Sequence, residues 1–149
     1  MKRRGFTLVE LAIVIAILGI LALYAIPKYQ GMVEEARTAQ AKAQLGTVRS
    51  ALAIYYAKNS GKFPDTQTFK DGSFLFADGN IPTVEATLAD GTVKKSNAVT
   101  PGNGDGVVSE SEITDEGGWV YDVSDDRTKA DVRINAKGTS AEGILWYKY

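Results

Sequence analysis

The chain has 149 residues, which leaves room for one small domain beside a membrane segment but not for two. It contains neither cysteine nor histidine, so disulfides, thiolate sites, His-ligated zinc and the Ser-His-Asp and Cys-His catalytic constellations are excluded. The formal net charge is −1, and this balance gives no sign of a nucleic-acid-binding surface. We therefore expect a protein that is not an enzyme.

The first predicted element is an apolar helix over residues 6–26, which directly follows Lys2, Arg3 and Arg4. Twenty-one residues at ~1.5 Å per residue match a hydrocarbon core ~30 Å thick, so this helix is long enough to span a membrane. Basic residues before a first helix stay on the cytoplasmic side, which predicts that the rest of the chain is exported. One charge, Glu10, interrupts the apolar stretch.

Gly5 stands between the cations and the apolar helix, and residues 5–11 read GFTLVEL. This segment resembles the processing site of type IV prepilins and type II secretion pseudopilins. The resemblance implies that a prepilin peptidase removes residues 1–5 as a leader by cutting between Gly5 and Phe6, and that Phe6 is then methylated at its amino group. An ordinary secretory signal instead has a shorter apolar core with a cleavage site after it.

Glu10 requires an explanation because an acidic residue at the centre of a membrane helix costs roughly 2.5–3.5 kcal/mol and such residues generally have a partner or a function. The resemblance implies a role in subunit assembly, in which Glu10 pairs with the α-amino group of Phe6 on a neighbouring subunit. The alternative is a glutamate near the membrane surface that water reaches.

Gly19 and Pro27 interrupt the predicted membrane segment, residues 6–27. A proline inside a helix removes a hydrogen bond and clashes with the preceding turn at a cost of ~3 kcal/mol, so we expect a kink or local melting. Pilin helices are similar in carrying a glycine and a proline here. A static bend at the end of the membrane is the alternative.

Residues 28–59 are predicted to continue the helix with two distinct faces. We expect the bulky face to pack on the sheet of the domain, and the small face to meet other subunits because small side chains allow close helix approach. Alanine is also simply a good surface helix former, which is the alternative interpretation of the small face. The small face comprises Ala36, Ala39, Ala43, Gly46, Ser50, Ala53 and Ala57, and the bulky face Ala41, Leu45, Val48, Leu52 and Tyr55.

A globular domain, residues 60–149, is predicted to follow the helix and to begin with a variable loop region, residues 60–116. The sequence Asn59-Ser60-Gly61 predicts the end of the helix, since glycine is favoured just past a helix terminus. Within the loop region, Asp-Gly at residues 90–91 between apolar alternations predicts a β-hairpin with a type I′ turn.

Residues 100–112, TPGNGDGVVSESE, contain the one candidate metal site. Asn103, Asp105, Ser109 and Glu112 occupy the third, fifth, ninth and twelfth places of an EF-hand loop pattern, which makes calcium a possible ligand. Pro101 stands at the first place, where the pattern requires aspartate. A turn without metal is therefore the favoured interpretation, and no other cofactor is predicted.

Residues 117–149 are predicted to form a C-terminal antiparallel sheet. The segments 119–123, 131–135 and 143–149 alternate and are rich in aromatic and β-branched residues, which is typical of strands. Trp119, Tyr121 and Trp146 are expected in the core, since aromatic alternation is more often core than binding site.

Taken with the resemblance, the sequence predicts an α+β, pilin-like fold in which a long N-terminal helix packs on a small C-terminal antiparallel sheet. The implied function is that of a type IV pilin, a subunit that polymerises into a surface filament for adhesion, twitching motility or DNA uptake. Its expected partners are further copies of itself, the inner membrane before assembly, the prepilin peptidase and the assembly machinery. The alternatives are a pseudopilin of a type II secretion system, which forms a short periplasmic filament, and a membrane-anchored binding domain that never polymerises.

Overall fold

A computed structural model of the chain describes residues 6–149 and has the predicted α+β architecture, with a long N-terminal helix followed by small sheets. Two 3₁₀ turns, Glu110–Glu112 and Trp146–Lys148, lie in the second half of the chain. The helices and strands, in order, are α1 (Leu8–Lys58), α2 (Thr66–Asp71), β1 (Val84–Thr87), β2 (Val93–Ser96), β3 (Val99–Pro101), β4 (Trp119–Val123) and β5 (Ala130–Ile134).

The chain divides into two compact units, the first ending at Glu34 and the second covering Glu35–Tyr149. The described part of the first unit consists of residues 6–7 and the start of α1, and all its residues are exposed. The second unit contains the rest of α1 and all the remaining elements, and it has its own hydrophobic core. The described part of the first unit thus leaves its apolar residues exposed, whereas the second unit buries its own in a core.

In the second unit, α1 packs on the sheet with the predicted bulky face, which confirms that prediction. Ala41, Leu45, Val48 and Leu52 are buried in one cluster with sheet residues, and Tyr55 is half-buried. Every residue of the small face, by contrast, is exposed. The spacing of three and four residues placed each set on one side of the helix, as a 3.6-residue period requires.

The main sheet has the order β3-β4-β5 and is mixed rather than antiparallel. Strands β4 and β5 pair antiparallel, from Trp119 opposite Ile134 to Val123 opposite Ala130, close to the predicted positions. Strand β3 pairs with β4 in parallel and supplies the third strand, which the sequence did not predict. Its proline lies at the sheet edge, where a missing N–H is tolerated.

The predicted third strand over residues 143–149 is wrong. Leu145 forms only an isolated bridge with Thr139, and a 3₁₀ turn follows. Adjacent residues Trp146 and Tyr147 are both buried, at 1% and 6% exposure. Neighbouring side chains of a strand point to opposite faces, so a strand here would leave one of these aromatics on the outer face.

Strands β1 and β2 form the predicted hairpin, in register from Val84 opposite Ser96 to Thr87 opposite Val93. The predicted type I′ turn is wrong, because that turn requires positive φ at both central residues and here only the glycine of the Asp-Gly pair, Gly91, has it (φ 83°). Asp90 instead accepts hydrogen bonds from the backbone N–H and the hydroxyl of Thr92 at 2.8 and 2.7 Å. Five residues, 88–92, separate the two strands, and the N–H of Leu88 donates to the carbonyl of Thr92 at 2.8 Å.

The connection that follows α1 is fixed to the sheet by polar contacts. Tyr121 donates its hydroxyl hydrogen to the carbonyl of Pro64 at 2.7 Å, and Arg127 donates from Nε to the carbonyl of Phe63 at 2.7 Å. Burial raises the pKa of the Tyr121 hydroxyl, so this group remains a donor at all ordinary pH values. Trp119, Tyr121 and Trp146 are all buried, as predicted.

Candidate assembly site

The candidate assembly site is the first turn of α1. The backbone N–H and the hydroxyl of Thr7 both donate to Oε2 of Glu10, at 2.8 and 2.7 Å, and the backbone N–H of Glu10 donates back to the Thr7 hydroxyl at 3.2 Å. This reciprocal pair is a capping box, in which the residue before the helix and the third helical residue satisfy each other's backbone N–H groups. The Thr-x-x-Glu spacing explains why the helix begins at Leu8.

The capping box also fixes which part of the Glu10 carboxylate is available to a partner. Both hydrogen bonds from Thr7 go to Oε2, and within residues 6–149 no donor bonds to Oε1. Phe6 immediately precedes the capping residue and is 71% exposed. Gly5 lies outside the described residues, so cleavage between Gly5 and Phe6 and methylation of Phe6 stay predictions.

The first part of α1, which follows this site, is apolar and exposed. By length and composition, α1 contains a segment that could cross a membrane, and none of that segment is buried. Ile20 and Leu23, for example, are 70% and 79% exposed. Fully burying a Leu or Ile side chain is worth about 1.5–3 kcal/mol, so such a surface requires lipid or protein around it.

Gly19 and Pro27 both lie inside α1, which continues unbroken through them. Pro27 cannot donate the backbone hydrogen bond that its position in the helix calls for. A Cβ added at Gly19 would meet no atom within 4 Å, so the described chain itself gives no packing reason for glycine there. Kinking or melting of this segment stays a prediction.

The four predicted calcium-binding residues lie in one loop, but their side-chain oxygen atoms already form hydrogen bonds within that loop. Glu112 accepts from the backbone N–H of Asn103 at 2.7 Å and from the N–H and hydroxyl of Ser109, both at 2.6 Å. Asn103 in turn accepts from the N–H of Asp105 at 3.0 Å. The N–H of Val107 donates to Asp105 at 2.8 Å and, as the largest effect, lowers the pKa of that carboxyl.

Asp122 of β4 also holds this loop, and sequence analysis did not identify it. Its side chain is 1% exposed, and it accepts hydrogen bonds from the N–H groups of Gly104 (2.7 Å), Gly106 (3.1 Å) and Val107 (3.3 Å). An aspartate within the apolar strand WVYDV was the available signal, since a buried carboxylate needs partners.

Calcium stays the possible ligand of Asn103, Asp105, Ser109 and Glu112, and a turn without metal stays the favoured interpretation of this loop. Within residues 6–149, no group of three or more acidic residues is arranged to hold a metal ion. The hydrogen bonds to Glu112 and Asp122 account for the loop conformation through the protein's own N–H groups.

The N-terminal residues match a described family, and the chain has pilin relatives. The profile of the family "Prokaryotic N-terminal methylation motif" matches residues 1–26. The type IV major pilin protein PilE1 of Neisseria gonorrhoeae is 46% identical over 66 residues, 44% of this chain and 39% of that protein. The type IV narrow pilus major component PilA5 of Thermus thermophilus is 44% identical over 61 residues, 41% of this chain and 53% of that protein.

A longer match is to a fimbrial protein of Pseudomonas aeruginosa, which is 37% identical over 108 residues, 71% of this chain and 64% of that protein. The chain thus spans between 39% and 64% of the length of these three relatives. No solved structure matches it significantly. The chain is therefore similar to type IV pilins and fimbrial proteins, most of all in its N-terminal residues, where the methylation motif also matches.

Proposed function

We propose that this chain is a structural subunit that polymerises into a type IV pilus through its apolar N-terminal helix. The observation that carries the proposal is the first turn of α1, where one carboxylate stands at the start of an exposed apolar segment, inside the residues that match the methylation motif. The names of the relatives, type IV major pilin and fimbrial protein, support the same function.

The proposed maturation creates the partner that Glu10 requires. A peptidase cuts between Gly5 and Phe6, and the amino group exposed at Phe6 is methylated but keeps its positive charge. Opposite charges within about 4–6 Å stabilise each other's charged forms, and this effect grows as water is removed. Thr7 holds Oε2 of Glu10, so Oε1 faces the amino group of the next subunit as it joins.

Before assembly, the apolar part of α1 lies in the inner membrane with the domain outside, and after assembly it is covered by other subunits in an extracellular filament. A head-to-tail contact that does not close into a ring gives an open helical polymer. The prepilin peptidase and the pilus assembly machinery are the further partners. Adhesion, twitching motility and DNA uptake are the proposed uses of such a filament.

The proposal predicts that Glu10→Leu stops polymerisation while export and leader cleavage continue. The leucine side chain cannot pair with a cationic amino group, although it suits the membrane better than glutamate does. Filaments sheared from cells are quantified by electron microscopy, and processing is measured from the mass of the cell-associated protein. Normal amounts of filament from Glu10→Leu would contradict the proposal.

Two matched variants separate the charge of Glu10 from its capping role. Glu10→Gln keeps the side-chain length and an oxygen that can accept from Thr7, since glutamine also serves in capping boxes, but it lacks the charge. We expect Glu10→Gln to fail in assembly as Glu10→Leu does. Glu35→Gln removes a charge from an exposed position and should assemble normally. Normal assembly by Glu10→Gln would assign capping, not charge pairing, to Glu10.

The alternative is a pseudopilin of a type II secretion system, and its filament would stay in the periplasm. Electron microscopy of sheared surface material with an antibody against residues 119–149 distinguishes the two. Long labelled fibres support the pilus, and label confined to the cell envelope supports the pseudopilus or a subunit that does not polymerise. The Glu10 variants then separate these last two.

A further inference from the structure

The loop over residues 102–107 contains Asn103, the only one of the five asparagines in this chain that is followed by glycine. Its side chain is exposed, and Gly104 has a φ of 93°. An asparagine before glycine is the pair most prone to spontaneous loss of the side-chain amide, because glycine has no Cβ that would hinder attack by its own backbone nitrogen. Sequence and exposure therefore identify Asn103 as a candidate site of chemical modification.

This modification, deamidation, begins with a bond between two neighbouring residues. The backbone nitrogen of Gly104 bonds to Cγ of Asn103, the C–N bond of the carboxamide breaks, and the proton of the backbone nitrogen leaves with the side-chain nitrogen as ammonia. Water then opens the resulting five-membered imide at one of its two carbonyl carbons. The product at position 103 is aspartate or isoaspartate, and water is the only co-reactant.

The structure holds the attacking nitrogen away from this reaction. The N–H of Gly104 donates to Oδ1 of Asp122 at 2.7 Å, and Asp122 is 1% exposed. A hydrogen bond from a backbone N–H to a carboxylate is short and strong. Negative charge that developed on the nitrogen as its proton left would also lie beside the negative carboxylate, which disfavours it. The nitrogen must therefore leave Asp122 before it can attack Asn103.

Further hydrogen bonds hold the peptide that joins Asn103 to its glycine. The backbone N–H of Asn103 donates to Oε1 of Glu112 at 2.7 Å, and the side-chain Oδ1 of Asn103 accepts from the N–H of Asp105 at 3.0 Å. The second oxygen of Asp122 accepts from the N–H of Gly106 at 3.1 Å. The reaction therefore requires local opening of the loop.

We propose that Asn103 is a deamidation site and that Asp122 protects it while the loop is closed, by holding the N–H of Gly104. The reaction is irreversible, and its products change the loop. Isoaspartate adds one carbon to the backbone between positions 103 and 104, which displaces the N–H of Gly104 from Asp122. Aspartate adds a carboxylate to a loop that already contains Asp105 and Glu112.

Variants of Asp122 test the proposal in the full-length chain, purified in detergent and incubated below the melting temperature of every variant. Peptide mass spectrometry follows the exchange of the side-chain amide for an acid at position 103. We expect Asp122→Ala to convert about ten- to a hundredfold faster than the wild-type chain, which corresponds to the loss of one hydrogen bond to a charged group. Asp122→Asn keeps a neutral acceptor, and its rate should lie between the two.

Two control variants separate the hydrogen bond from nearby charge and from the stability of the domain. Oδ1 of Asp125 lies 3.7 Å from the position of a Cβ at Gly104, yet Asp125 accepts no hydrogen bond within residues 6–149, so Asp125→Ala removes only a neighbouring charge. Val48 is fully buried in the main core, so Val48→Ala destabilises the domain and leaves Asp122 in place. Both variants should convert at the wild-type rate.

A wild-type rate for Asp122→Ala would overturn the proposal, and so would an equal acceleration in Val48→Ala or Asp125→Ala. If Asp122→Ala does not fold, Asp122→Asn replaces it, and a wild-type rate for that variant would overturn the proposal as well. A folded wild-type chain that converts as fast as the same chain unfolded in urea would show that Asp122 gives no protection.

Discussion

At the scale of single residues, two carboxylates bind backbone N–H groups and so fix the local conformation of the chain. Glu10 caps the helix through Thr7 and keeps one oxygen without a donor among the described residues. Asp122, which is buried, gathers three backbone N–H groups of the loop from Gly104 to Val107. Each carboxylate satisfies N–H groups that would otherwise lack a partner, at a helix start and in a loop.

Asp122→Ala should destabilise the domain by about 2–4 kcal/mol, because the N–H groups it binds would lose a charged acceptor in a largely buried place. Chemical denaturation followed by circular dichroism measures this change. Asp122→Asn retains one oxygen acceptor and should cost less. A loss below about 0.5 kcal/mol for Asp122→Ala would show that water replaces the carboxylate and that Asp122 does not hold the loop.

The residues of the candidate site were only partly predictable. A single acid in an apolar helix identified Glu10, because such a residue is costly without a role. The Thr7 partner could have been predicted from the Thr-x-x-Glu spacing before an apolar run. Asp122 was missed because its strand was interpreted from its apolar and aromatic residues, and its partners lie 15 to 18 positions away in the sequence.

At the scale of elements, helix α1 was predictable because its two faces repeat with the helical period over more than twenty residues. The bulky face is buried and the small face is exposed, as that period requires. The prediction for residues 143–149 was wrong because alternation over a few residues is typical of strands but also occurs in irregular segments, such as this one, in which the adjacent Trp146 and Tyr147 are both buried. The secondary structure of such short segments is decided by their tertiary packing, since no periodic pattern extends over several turns.

Ala43→Leu tests the role of the small face and should reduce filament formation strongly while changing the stability of the domain by less than about 0.5 kcal/mol, as is usual for exposed positions. The leucine would add bulk to a face whose small side chains are expected to allow the close approach of other subunits. Gln40→Leu places the same side chain on an exposed part of α1 outside the small face and should assemble normally. Equal filament yields from the two variants would remove the small face from the interface.

Calcium binding by the loop over residues 100–112 is decided by thermal unfolding with and without the ion. Because Glu112 and Asp122 already accept hydrogen bonds from the loop, we expect calcium to leave the melting temperature unchanged. A rise with calcium that magnesium does not reproduce would establish the site, since a ligand that binds only the folded state stabilises it. Replacing Asp105 with asparagine should then abolish the rise.

At the scale of the whole molecule, the chain combines an apolar helical segment whose described residues are exposed with a domain that has its own hydrophobic core. The general architecture was predictable from the order of an apolar stretch, an amphipathic helix and β-rich segments. The parallel pairing of β3 with β4 was not, because a three-residue strand that pairs with residues 20 positions later has no local pattern. The proposed polymerisation depends on this exposed apolar segment of α1.

The most direct test of this account is the N-terminus of the assembled protein. Intact mass and N-terminal fragment spectra are recorded on filaments sheared from cells that possess an active prepilin peptidase. The account predicts that the chain begins at Phe6 and carries a methyl group on its α-amino nitrogen. A protein that begins at Met1 in such cells would have no new amino group for Glu10 to pair with, and would contradict the account.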